Sequence, residues 1–76
     1  MNDKKNIMKI RRMLEKLVEE SRDIQQTNWD NRQYVSHSTA VGTHQDYCRG
    51  INDSYEIICK EAGVPFKEIE IKEIHW

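Results

Sequence analysis

The sequence contains no apolar run approaching the ~18 residues that a membrane-spanning helix needs, and its mean hydropathy is −0.90, which excludes a membrane span. The stretch Met1 to Arg12 is charged and lacks the apolar segment of a signal peptide, so the expected compartment is the cytoplasm. There is no excess of basic residues either. Twelve Lys and Arg against thirteen Asp and Glu give a net charge of −1, too balanced for a protein whose main partner is bulk nucleic acid. Cysteine is scarce. Cys48 and Cys59 fall eleven residues apart on one expected helix, ~16 Å at ~1.5 Å per residue and beyond the ~7 Å reach of a disulfide. Both are expected to be reduced, or at most to link subunits, with Cys59 acting as a small buried hydrophobe. No internal repeat and no low-complexity segment occurs. With 37% hydrophobic residues in 76, there is apolar material for one core only, a single domain over 1–76. A domain this short rarely holds together on one core without a staple, which points to self-association.

What is present is helical periodicity. Ile7, Ile10, Leu14, Leu17, Ser21 and Ile24 alternate at spacings of three and four, with Met13 and Val18 widening the stripe. That pattern predicts an amphipathic helix from about residue 4 to about 26. Through Lys16 the chain carries Lys4, Lys5, Lys9, Arg11, Arg12 and Lys16 against Asp3 and Glu15. Such an end either attracts a small anion or is a solvated helix face. The elbow Gln25 to Arg32 brings Thr27, Asn28 and Asn31, which compete for backbone hydrogen bonds and predict a turn. Thr27 with Asp30 three residues on resembles a capping box and predicts a helix restarting near Asn28.

From Tyr34 the same spacing selects His37, Val41, His44, Cys48, Ile51, Tyr55, Ile58 and Ala62, a second helix running to Gly63. Gly63 suits the left-handed position after a helix end, and Pro65 forbids simple continuation. Gly42 and Gly50, on another face, are candidates for close helix contact. In the tail, Glu68-Ile69-Glu70-Ile71-Lys72 alternates as a strand with one apolar face, while Pro65 at a first helical position favours a short third helix. A lone strand needs a partner, and the available one is its copy in another subunit. The expected fold is therefore mainly α: an antiparallel two-helix hairpin packed through Ile10, Leu14, Leu17, Ile51, Tyr55 and Ile58. A short C-terminal strand (or third helix) is exchanged within a homo-oligomer.

His44 and Cys48 lie one turn apart, with His37 two turns before His44, a possible metal edge. A closed zinc site needs four ligands and no second local pair exists, so no metal is expected unless a symmetry axis completes the set. Small helical nucleotide pyrophosphohydrolases gather four carboxylates from facing helices. Glu19 and Glu20 begin such a set, but Asp53, Glu56 and Glu61 supply the wrong order. With no glycine-rich phosphate loop, and no base placed for Ser36, Ser38 or Ser54, neither catalysis nor a cofactor is expected.

The richest recognition chemistry lies at the elbow and the start of the second helix: Trp29, Asn31, Arg32, Tyr34, His37, Thr39, Thr43 and His44. Trp and Tyr offer faces for a nucleobase, Arg and His donate to phosphate, and Asn and Thr read ribose or base edges. Alternatively Trp29 closes the hairpin core and the rest is solvated. The run Trp29-Asp30-Asn31-Arg32-Gln33-Tyr34 through His37-Ser38-Thr39-Ala40-Val41-Gly42-Thr43-His44, within residues 27 to 62 of a small hairpin, resembles in kind the phage proteins that sequester nucleotide immune signals, the anti-CBASS and anti-Thoeris sponges. No family motif aligns on these residues, so no binding residue is carried over.

The resemblance implies a non-enzymatic anti-defence protein, in the host cytoplasm if phage-encoded. It would sequester a cyclic oligonucleotide or ADP-ribose derivative in a pocket between subunits. The alternative is a small homo-oligomeric adaptor or inhibitor that binds a host or phage protein without a small ligand.

Overall fold

The computed structural model describes residues 3–31 and 36–75. Two helices, α1 over Asp3–Asp30 and α2 over His37–Ala62, pack together as a hairpin. No helix among the described residues is long and apolar enough to cross a membrane.

The turn falls later than the elbow composition predicts. Thr27 to Asp30 continue α1, because the Asn31 N–H reaches the Thr27 carbonyl at 2.9 Å and the Gln26 amide donates to Asp30 at 3.0 Å. The helix restart belongs to Ser36, not Thr27. Ser36 is extended (φ −82°, ψ 164°) and its hydroxyl accepts the Thr39 N–H at 3.1 Å, satisfying one of the free amides of the first turn of α2. At the other end Gly63 takes the left-handed conformation at φ 67°, as expected. The Val64 N–H bonds back to the Cys59 carbonyl at 2.9 Å and the Gly63 N–H to Lys60 at 3.2 Å, a Schellman stop.

The core contains Ile7, Val18, Cys48, Ile51, Tyr55, Cys59 and Ile69, with Ile10, Leu14, Ile58, Ala62, Val64 and Ile71 packed against it. Both cysteines are free and buried. Of the residues expected to pack the hairpin, Ile10, Leu14, Ile51, Tyr55 and Ile58 lie in or against this core and Leu17 does not. Val18 is 1% exposed, whereas its neighbour Leu17 is 38%, Ile24 59% and Met13 65% exposed. Successive helical residues point about 100° apart, and the Ile7–Val18 arc is the one that α2 and the tail cover. Gly42 and Gly50 mark no close helix contact, since a Cβ built on either meets nothing within 4 Å.

The tail is neither strand nor helix among the described residues, a correction to both readings of it. It docks on its own hairpin. Between Lys67, bonded by Arg11, and His75, bonded by Gln26, eight residues span fifteen residues of α1, about 22 Å at ~1.5 Å per residue. That requires a nearly extended chain. It runs parallel to α1 and antiparallel to α2, meeting Asn52 at Ile69 and then His44 at Lys72. Polar side chains of the helices take the place of a neighbouring strand.

Candidate functional site

Asn52 is 93% buried and its carboxamide reads the backbone of Ile69 on both sides. The Ile69 N–H donates to Oδ1 at 2.7 Å, and Nδ2 donates to the Ile69 carbonyl at 3.1 Å. Gln26 repeats the arrangement six residues on, accepting the His75 N–H at 2.7 Å and donating to the His75 carbonyl at 2.9 Å. Between the two clamps the His44 ring meets the Lys72 carbonyl through Nε2 and the Ser21 hydroxyl at 2.9 Å through Nδ1. A carbonyl only accepts, so Nε2 carries the proton and Nδ1 accepts from Ser21. Arg11 donates to the carbonyls of Lys67 and Glu68, and its guanidinium lies 5.4 Å from the centre of the Tyr55 ring. The tail side of the hairpin is therefore closed by hydrogen bonds to backbone, and by the side chains of Ile69 and Ile74.

This geometry disperses the residues selected from the sequence. His44 is 1% exposed, with both ring nitrogens bonded inside the chain. His37 and His44 line one cavity of about 240 Å³ with Val41, Gln45, Ile71, Glu73 and Ile74. Trp29 sits edge-on to His37, ring centres 5.1 Å apart and planes at 70°. Thr39 is engaged in the cap of α2, its hydroxyl 2.9 Å from that of Ser36. Thr43 opens onto the opposite side of the hairpin, in a hollow with Leu17, Ile24 and Tyr47. Asn31 is exposed beyond the end of α1. Arg32 and Tyr34 lie outside the described residues. Among the described residues the cavity beside the two histidines is lined by Glu73 and by neither Lys nor Arg, and the Glu73 carboxylate opposes phosphate there.

Ser21, Gln26 and Asn52 are the polar residues that sequence reasoning passed over. Ser21 and Asn52 carried a signal. Ser21 occupies an apolar position of the α1 stripe, and Asn52 lies about 40° round α2 from the buried Cys48. A polar group at such a position must find a partner.

Cys48 lies 3.7 Å and 3.8 Å from the two His44 nitrogens, and burial pushes its thiol above the ordinary value of 9.0. It is a protonated packing group rather than a nucleophile. Among the described residues no group of three or more His, Cys, Asp or Glu is placed to hold a metal ion.

Opposite the tail, the hairpin leaves an apolar face uncovered. Leu17 and Ile24 of α1 share a hollow with Tyr47 of α2, which is 45% exposed, and Met13, one turn before Leu17, is 65% exposed. Two hollows mark this face, the one holding Thr43 and a second lined by Leu14, Tyr47, Gly50, Ile51 and Ser54. Comparison of the chain with protein-family models, with curated proteins and with solved structures yields no match.

Proposed function

We propose that this chain is a non-enzymatic interaction protein, an adaptor or inhibitor that works by protein–protein contact through the uncovered face of its hairpin. The observation that carries this reading is the asymmetry of α1. Its Ile7–Val18 arc is covered by α2 and the tail, while Met13, Leu17 and Ile24, equally apolar, stand in solvent. Contiguous exposed apolar side chains rimmed by polar ones mark interaction surfaces. Here the rim is charged, with Lys9, Lys16, Glu20 and Asp23 on one flank of the row.

A second reading, capture of a nucleotide-derived immune signal between subunits, is favoured by one observation: His37 and His44 line one cavity and Trp29 stacks edge-on against His37. A thermal-shift panel of cyclic di- and trinucleotides and ADP-ribose derivatives separates the two. A ligand that binds only the folded state raises the melting temperature by mass action. The interaction reading expects no response to any of them, and a saturable rise with one of them overturns it.

A further inference from the structure

We infer that the uncovered face is closed by a second copy of this chain, the two α1 helices lying antiparallel about a two-fold axis that passes between the levels of Glu19 and Glu20. The inference rests on the reading of this face as a docking surface and names its occupant. Along one flank of the exposed apolar row, α1 carries Lys9, Lys16, Asp23 and Asp30 at seven-residue spacing, positive in the first half and negative in the second. All four are exposed. Lys9 and Lys16 make no ion pair among the described residues, Asp23 touches the adjacent Arg22 at 3.1 Å, and Asp30 accepts from Gln26. Lys16 and Asp23 are two turns apart, about 10 Å along the axis, too far to pair within the helix.

Turning a second α1 end for end sets Lys16 opposite Asp23 of the second copy and Lys9 opposite Asp30, each pair occurring twice. The same operation brings Met13 to within about 3 Å of the level of Ile24 of the second copy and sets the two Leu17 side chains on either side of the axis, about 7.5 Å apart along it. The four outer charges are thus complementary across a two-fold contact, while Glu20 meets its own copy beside the axis. In this register α1 overlaps its copy over residues 9–30, about 33 Å at ~1.5 Å per residue. With the 16 Å width of the particle that is roughly 530 Å² per partner, less than the ~800 Å² of a standard stable interface and the size of a weak, concentration-dependent dimer. The product is a four-helix layer that keeps the tails on its outer sides.

Sedimentation equilibrium of the full chain tests this with four proteins: wild type, Lys16→Asp, Asp23→Lys and the double reversal, each checked for helical content by circular dichroism. The wild type is expected at twice its 9.1 kDa mass. Each single reversal should weaken association by about tenfold, because two repulsive contacts replace two attractive ones. The double reversal should restore it, an outcome that a merely local effect on helix stability would not produce. A wild type that remains 9.1 kDa up to millimolar concentration overturns the inference, as does a double reversal no tighter than the weaker single variant. Failure here is distinguishable from failure of the docking reading. Leu17→Glu that abolishes contact with a different protein while the wild type stays monomeric removes the second copy and keeps the surface.

Discussion

Replacing Asn52 by Ala removes both partners of a backbone unit that has no access to water. Ile69 is 2% exposed and Asn52 7%, so the Ile69 N–H and carbonyl, now bonded at 2.7 and 3.1 Å, would be left unsatisfied at ~1–3 kcal/mol each. The chain can escape part of that penalty by releasing the tail, which exposes Ile69 and Ile74 at ~1.5–3 kcal/mol each. Either route gives a loss of about 2–6 kcal/mol, a large share of the ~4–11 kcal/mol available to a domain of this length. Gln26→Ala is the internal control. It deletes the same two-bond pattern at His75, where the bonds are exposed and water replaces them, so its effect should stay below ~1 kcal/mol. Urea unfolding followed by tryptophan fluorescence gives both numbers. Trypsin provides a second readout, since a released tail is cut after Lys67 and Lys72. Equal losses in the two variants would refute the argument that burial, rather than bond count, sets the strength of the clamp.

The helices and the end of α2 were legible because each rests on local chemistry: three-and-four spacing for the hairpin, and a glycine that takes φ 67° without strain before Pro65. The inward arc of α1 was not. Met13, Leu17 and Ile24 recur at helical spacing as Ile7, Leu14 and Val18 do, and periodicity cannot choose between two apolar arcs when one of them faces solvent. In the tail, the alternation of Ile69 and Ile71 correctly reports a nearly extended chain and says nothing of what lies beside it. Asn52 and Gln26, seventeen and forty-nine residues away, provide the hydrogen bonds that a strand would have. His44 shows the same gap at the candidate site. Its place among polar residues suggested a ligand contact, while its partners Ser21 and Lys72 lie too far along the sequence for spacing to reveal them.

Three further outcomes are expected. Burial favours the neutral thiol of Cys48, so the stability it contributes is intact below the ordinary value of 9.0 and is lost as pH rises through its higher folded value. Unfolding free energies measured at neutral and alkaline pH should fall more steeply in the wild type than in Cys48→Ala, and parallel slopes would contradict this. Gly63→Ala should destabilise by about 1–2 kcal/mol, purely through the left-handed φ of 67°, because the added Cβ meets nothing within 4 Å; Gly63→Asn should recover part of the loss. The last concerns His44, whose ring joins Ser21 on α1 to the Lys72 carbonyl of the tail. His44→Leu keeps the volume but leaves two polar groups without partners, a loss of about 2–4 kcal/mol, whereas Ser21→Ala alone removes a single bond at ~0.5–1.5 kcal/mol. In the double variant no Ser21 hydroxyl remains to be left unsatisfied, so the two losses should fall short of their sum by ~0.5–1 kcal/mol in a double-mutant cycle. Strict additivity would mean that Ser21 and His44 do not share a bond, and that the ring is held in place by packing alone.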